Sequence, residues 1–177
     1  MAKKRDIIWL NSVKSTNIYA KKHISELDNL SVVAALSQTE GKGQGNHKWH
    51  SEPGQNLLFS IVLKDPDVQA SEQRVISDTT AESIVQLLDA QGIKAWIKPP
   101  NDIWVDKKKI CGILIEHSLI GSRISWTIIG IGLNVNQTIF PDDLPNPTSM
   151  AIENEGADIK ELLIQFMDIF ISHTSWL

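Results

Sequence analysis

The stretch Gly41-Lys42-Gly43-Gln44-Gly45-Asn46-His47-Lys48-Trp49 directs the interpretation of this chain, and it follows the apolar run 32–36 and the polar triplet Gln38-Thr39-Glu40. Glycine has no Cβ, so backbone N–H groups can converge on a ligand, and nearby lysines favour an anion there. The pattern predicts a mobile loop that leaves a buried strand and wraps an anionic ligand. A Gly-rich, solvated hairpin connection is the alternative.

The composition bounds the class of protein. The 177 residues are 42% hydrophobic and 21% charged, which is typical of one globular domain with a sizeable core. The net charge of −4 gives no basic excess for DNA binding. No apolar run approaches the ~20 residues of a membrane helix. The single cysteine, Cys111, cannot form an internal disulfide. These features predict a cytoplasmic protein without a DNA or membrane partner.

Hydrophobic patterning around the loop predicts an α+β fold, because strands cluster around a few helices. The predicted strands are 7–10, 32–37, 56–63, 94–98, 103–105, 110–119 and 124–136. One predicted helix follows Ser15-Thr16-Asn17 and includes Tyr19, Ala20, Ile24 and Leu27. Two more cover 71–91 and 158–173, and Pro141, Pro145 and Pro147 indicate a loop between the last strand and the last helix.

Polar residues at the ends of these elements are candidates for binding. Ser15-Thr16-Asn17 is typical of a helix cap, and it also offers hydroxyls and an amide to a small neutral polar group. Gln38, at a strand end, is open to the same two interpretations.

The segment Lys98-Pro99-Pro100-Asn101-Asp102 places a cation, an amide and a carboxylate where one strand stops and the next starts. An Asp beside phosphate-directed lysines can hold Mg²⁺, which accepts few protein ligands. An ordinary solvated turn is the alternative, and spacing alone favours it.

Residues 107–109 are three consecutive lysines, and of these Lys109 is predicted to start a strand. Lys107 and Lys108 are predicted to be turn residues in water. If Lys109 points inward, its ammonium needs an anionic partner. That partner is a phosphate or carboxylate ligand, or else Glu116 or Asp102.

The glycine pair of a late strand, the cysteine and the histidines do not indicate a catalytic or metal site by themselves. Gly130-Ile131-Gly132-Leu133-Asn134-Val135-Asn136 predicts close backbone approach in a strand. It is not a dinucleotide fingerprint, because no helix follows and the third glycine is missing. Cys111 is predicted to be a core residue rather than a nucleophile. The five histidines lack metal-ligand spacing, so no structural metal is expected.

In this order, the segments resemble biotin–protein ligases: Ser15-Thr16-Asn17, Gln38 through Trp49, Lys98 through Asp102, Lys109 through Glu116, and Gly130 through Asn136. The resemblance implies a mixed, largely antiparallel sheet flanked by helices, the class II synthetase-like core of biotin and lipoate ligases. It implies that ATP and Mg²⁺ activate the substrate biotin as biotinyl-5′-AMP. A lysine of a biotin carboxyl carrier protein, part of a biotin-dependent carboxylase, then receives the biotin.

The resemblance also implies roles for individual residues. Four side chains recognise the ureido ring of biotin: Ser15, Thr16, Asn17 and Gln38. The rest of the biotin site is Gly41, Lys42, Gly43, Gln44, Trp49 and Gly112. The nucleotide side contains Lys42, Lys98, Asn101, Asp102 and Asn134, with Asp102 expected to bind Mg²⁺. Lys109 is the catalytic residue, which holds the biotin carboxylate and the α-phosphate.

Some features depart from the family pattern. Family members usually carry loop arginines where this chain has Lys42, Gln44 and Gly45, and a tryptophan at Pro99. Residues 1–177 are expected to be a single catalytic domain, without the N-terminal DNA-binding domain or the C-terminal β-domain of some relatives. A homodimer is left open. The alternative functions are a lipoate or octanoyl ligase of the same superfamily, and a biotin- or nucleotide-binding module with little catalysis.

Overall fold

The computed structural model describes residues 6–177. The prediction that no DNA-binding domain precedes Asp6 concerns residues outside this range. The strands are β1 (Ile7–Leu10), β2 (Val32–Ala35), β3 (Leu57–Lys64), β4 (Trp96–Lys98), β5 (Asp102–Val105), β6 (Lys108–Ile120) and β7 (Arg123–Leu133). The helices are α1 (Thr16–Lys22), α2 (Arg74–Ala90), α3 (Met150–Glu153) and α4 (Ile159–Ser172), with a 3₁₀ turn at Ala70–Glu72.

All seven strands belong to one sheet, in the order β1-β2-β3-β7-β6-β5-β4. β1 pairs with β2 in parallel, and every other neighbouring pair of these strands is antiparallel. The predicted α+β fold with a mixed, largely antiparallel sheet is therefore confirmed.

β3 lies in the middle of the sheet and separates two hydrophobic clusters. Its side chains alternate between the two faces, as they must in a strand. Leu57, Phe59, Ile61 and Leu63 pack into the larger cluster, which contains the buried faces of α2 and α4. Val62 packs into the smaller cluster beside α1. Ser60 lies on the α1 face as well, because it contacts two residues of that helix. Burial of each large apolar side chain contributes about 1.5–3 kcal/mol.

Several element boundaries differ from the predicted ones. α1 ends at Lys22, so Ile24 and Leu27 lie beyond it, although Leu27 still packs in the smaller cluster. Lys108 belongs to β6 and not to the turn, because the turn closes at Asp106, whose φ of 50° is left-handed. The short helix α3 lies where the proline pattern indicates only a loop. Across the described part of the chain, every helix is too short or too polar to cross a bilayer.

Candidate active site

A cavity of about 480 Å³ lies over β6 and β7, beside the start of α1. Most of the predicted site residues line it, namely Ser15, Thr16, Asn17, Gln38, Lys42, Gly43, Gln44, Trp49, Lys98, Asp102, Lys109 and Gly112. The cavity is also lined by residues without a predicted role, which include His47, Lys48, Trp104, Leu114, Gly130, Gly132 and Pro145. The fold therefore brings together segments that are far apart in the sequence.

The start of α1 is not capped by its own serine. Ser15 occupies the N-cap position with an extended backbone, but its side chain makes no capping hydrogen bond. Instead, the backbone N–H of Thr16 donates to Gln38 Oε1 over 2.8 Å. Ser15 is 3% exposed and lines the cavity. Its hydroxyl is therefore left for a ligand, which favours the binding interpretation of this triplet over a simple cap.

The amide of Asn17 is held in one orientation by the protein. Its Nδ2 donates to Leu114 O over 3.2 Å and to Glu116 Oε2 over 3.1 Å. Its Oδ1 lies 2.6 Å from Ser60 Oγ, which is also 2.7 Å from Thr16 Oγ1. Sequence reasoning missed Ser60, whose only signal is a lone hydroxyl in the apolar strand 57–64.

Glycines in β6 and β7 form the floor of the cavity. Gly112 and Gly132 are cross-strand partners, and the indole of Trp49 lies on both of them. A Cβ on Gly132 would lie 2.6 Å from the indole, and one on Gly112 would lie 2.9 Å from it. A Cβ on Gly130 would overlap the Asn17 amide. The close approach predicted for these glycines is therefore present, and Trp49 and Asn17 are the groups that approach.

Lys109 finds its anionic partner within the protein. Its Nζ lies 2.9 Å from Asp102 Oδ1, with 32% and 35% of the two side chains exposed. The same Nζ lies 5.5 Å from the centre of the Trp49 ring. Glu116, the other proposed partner, contacts Asn17 and lies 3.6 Å from Lys21 Nζ. Of the two intramolecular alternatives, the structure selects Asp102.

Lys98 provides a second cation in the cavity, and its Nζ lies 3.7 Å from the centre of the Trp104 ring. Lys98 and Asp102 are cross-strand partners at the closed end of the β4–β5 hairpin. Lysine and carboxylate are therefore held on the same short turn.

The Gly-rich loop combines both sequence interpretations. Gly43 N–H donates to His47 O over 2.8 Å, and Trp49 N–H donates to Gly41 O over 2.9 Å, so the loop is closed as a hairpin. Lys42 and Lys48 are paired across it and both line the cavity. A hairpin conformation thus presents two cations to the site.

Three predicted site residues do not line the cavity. Gly41 closes the base of the loop, and Asn101 lies in the β4–β5 turn. Asn134 follows β7, which ends at Leu133 and not at Asn136. Its Nδ2 donates to Thr148 O over 3.0 Å, whereas its buried Oδ1 has no partner among the described residues. Direct ligand contacts by these three residues stay predictions.

Cys111 is buried next to the site, and burial raises the pKa of its thiol well above the ordinary range. The charge of Lys109 opposes this effect but is the smaller influence. The thiol stays protonated at neutral pH, which agrees with its assignment to the core. Within residues 6–177, no group of three or more His, Cys, Asp or Glu side chains is arranged to hold a metal.

The segments that build the cavity also match a known protein family. The profile of the Biotin/lipoate A/B protein ligase family matches residues 9–134. The chain belongs to this family. The match covers every cavity-lining segment except Pro145.

Curated relatives in the family include Bifunctional ligase/repressor BirA of Bacillus subtilis, which is 37% identical over 131 residues. That alignment covers 72% of this chain and 40% of the relative. Biotin--protein ligase of Homo sapiens is 37% identical over 122 residues, covering 64% of this chain and 17% of the relative. The chain therefore spans well under two thirds of the length of these relatives.

Among solved structures, biotin protein ligase from Aquifex aeolicus in complex with biotin and ATP superposes with a TM-score of 0.82 and 26% identity. The superposition covers 97% of this chain and 71% of that one. Biotin protein ligase from Leishmania major in complex with biotinyl-5-AMP has the same fold, with a TM-score of 0.76 and 23% identity. The sheet described above is thus the catalytic-core fold of biotin protein ligases.

Proposed function

We propose that this chain is a biotin–protein ligase. It activates biotin with ATP, releases pyrophosphate, forms biotinyl-5′-AMP and transfers the biotinyl group to a lysine of a carboxylase carrier domain. The observation that carries the proposal is the division of one cavity into a hydrogen-bonding end at α1 and a cationic end at Lys109.

The hydrogen-bonding end matches a cyclic urea, which has one carbonyl and two N–H groups. Gln38 uses its Oε1 on the Thr16 N–H and so keeps two amide hydrogens to donate. Ser15 offers a free hydroxyl, and Thr16 offers an oxygen. Donors and acceptors are thus both available where Gln38 meets the start of α1, as a ureido ring requires.

A lipoate or octanoate tail fits this end poorly. Neither a dithiolane nor an alkyl chain can satisfy the hydroxyl of Ser15 or the amide of Gln38. Each buried polar group left unmatched costs about 1–3 kcal/mol. The family contains both biotin and lipoate ligases, and this cost favours biotin as the substrate.

The cationic end matches the two anions that must meet. A carboxylate and a phosphate that approach to about 4 Å repel each other by about 4 kcal/mol at an effective dielectric constant near 20. Lys42, Lys48, Lys98 and Lys109 all line the cavity and offset this repulsion. Lysine acts as a point charge, so these contacts lack the two-pronged geometry of the arginines usual in the family loop.

The donor set also fits Mg²⁺, which binds to one or two carboxylates and fills its other positions with phosphate oxygens and water. Asp102 is the one carboxylate among the described residues that line the cavity. When bound, Mg²⁺ would neutralise charge on the ATP phosphates. Because Asp102 already pairs with Lys109, ligand binding would redirect the Lys109 ammonium towards the biotin carboxylate and the α-phosphate.

Loop closure, cellular location and the acceptor are also parts of the proposed function. The loop 41–49 orders over the adenylate and excludes water, which protects a reactive anhydride from hydrolysis. The single described sheet supports one catalytic domain, and the buried free thiol of Cys111 is compatible with a cytoplasmic location. The carrier domain is the acceptor, and a homodimer is left open.

Calorimetric titration with biotin, lipoate and ATP, followed by a pyrophosphate-release assay, tests this function. We expect biotin to bind, lipoate not to compete, and pyrophosphate to appear only when both biotin and ATP are present. Binding of biotin without pyrophosphate release would instead identify a binding module. Release that depends on lipoate or octanoate would identify the other branch of the family.

A further inference from the structure

Two polar residues that do not line the cavity form hydrogen bonds with residues that do. Ser60 is fully buried in β3, and Glu116 lies on β6 with 35% of its side chain exposed. Neither has a role in the proposed chemistry. Both are connected to the ligand end of the cavity through Asn17.

The direction of each hydrogen bond in this group follows from chemistry. Leu114 O and the Glu116 carboxylate can only accept, so the Asn17 amide nitrogen must face them. Asn17 Oδ1 therefore faces Ser60, and it can only accept. Since the Ser60 hydroxyl carries a single proton, it donates that proton to Asn17 Oδ1, 2.6 Å away.

The consequence reaches Thr16, which lines the cavity. Its Oγ1 lies 2.7 Å from Ser60 Oγ, whose only proton is already committed to Asn17. Thr16 must then donate its own proton to Ser60. Only lone pairs of Thr16 Oγ1 remain for the ligand.

We propose that Ser60 and Glu116 are positioning residues, which act through Asn17 to make the Thr16 hydroxyl an obligate hydrogen-bond acceptor. This chain of four hydrogen-bonded residues is called the relay: Glu116, Asn17, Ser60 and Thr16. Because of it, the site selects ligands that have a ring N–H over isosteres that have an oxygen at the same position. The proposal rests on the proposed function, since it deepens the recognition of the ureido ring. It predicts discrimination by two residues that do not touch the ligand.

The test measures the affinity of the full chain for biotin and for two cyclic carbamate analogues, in which each ring N–H is replaced in turn by oxygen. We expect the wild type to favour biotin over one analogue by about 10²-fold or more, because a site built around a hydrogen bond rejects a ligand that lacks it. In Ser60→Ala, Thr16 is free to turn its proton towards the ligand. The ratio should therefore fall by about tenfold, the worth of one hydrogen bond.

Glu116→Ala provides a second variant, at a position about one third exposed, and it should lower the same ratio in the same direction. Ser83→Ala is the matched control for Ser60, because Ser83 is also fully buried and donates to Thr79 O within α2. Lys21→Ala is the control for Glu116, since it removes the exposed ion-pair partner without touching Asn17. Both controls should keep the wild-type ratio.

Equal losses for biotin and the analogues in Ser60→Ala and Glu116→Ala would show a purely structural role and overturn the relay. An unchanged ratio in both variants would also overturn it. Failure of the wild type to bind biotin at all would overturn the proposed function, so the two failures are distinguishable.

Discussion

Replacement of Lys109 by alanine should disable adenylate formation while leaving the fold intact. Its Nζ lies 2.9 Å from Asp102 Oδ1, and two unit charges at that separation interact by roughly 6 kcal/mol at an effective dielectric constant near 20. Both side chains are about one third exposed, so water screens the pair and its net contribution to stability is only about 0–1 kcal/mol. The melting temperature should therefore change little.

The rate of the chemical step should change much more. The proposed function gives this ammonium two anions whose charges approach each other in the transition state. Loss of one preorganised donor costs about 2.7–4 kcal/mol, or 10²–10³ in rate. The remaining lysines of the cavity cannot take over, because they lie on the loop and on the β4–β5 hairpin, whereas Lys109 is fixed on β6.

Single-turnover release of pyrophosphate from biotin and ATP measures this step without the carrier. Lys107→Ala is the matched control, because Lys107 is an exposed turn residue two positions away that does not line the cavity. Equal losses for the two variants would show that only bulk positive charge matters. A loss below about tenfold in Lys109→Ala would refute the placement of the reacting anions at Lys109.

Three further predictions test other parts of the structure. Gly132→Ala would place a methyl group 2.6 Å from the Trp49 indole, so we expect the indole to be displaced and biotin affinity, measured by calorimetry, to fall at least tenfold. Trypsin should cleave after Lys42 or Lys48 more slowly with biotin and ATP than without; an unchanged rate would argue against loop closure. Burial lowers the pKa of His117 in the folded protein below its ordinary 6.5. As the pH falls below 6.5, the unfolded chain therefore takes up the proton before the folded protein does, and the free energy of unfolding decreases until the pH reaches the folded-state pKa. Thermal melts at pH 7.5 and 5.5 should therefore show a smaller acid destabilisation for His117→Gln than for the wild type, and an equal loss would contradict this assignment.

The fold was largely predictable because its signals are local. The run 56–63, which is rich in aliphatic residues, predicts a buried strand, and Gly92, whose φ is 75°, ends α2 as expected for a left-handed terminal residue. The exact ends of helices and strands depend less on local sequence signals. α1 stops at Lys22, and Leu27 packs in the smaller cluster from outside the helix, so apolar spacing that continues to Leu27 does not locate the helix end.

The sequence predicted most of the residues that line the cavity, but not which of them form hydrogen bonds or ion pairs with one another. Lys109 had three open kinds of partner in the sequence, and only the pairing of β5 with β6 brings Asp102 to it. Ser60 is separated from Thr16 by 44 positions, so no spacing rule relates them. The capping of α1 by Gln38 is likewise a contact between distant segments.

The glycine floor of the cavity limits how the site can change. Where Gly112 and Gly132 meet the indole of Trp49, the boundary is main chain, and it holds no side chain that a substitution could shorten. Any added carbon there removes space. Room for a bulkier biotin analogue must therefore come from the walls, where Trp49, Trp104 and Leu114 are among the large side chains available for trimming.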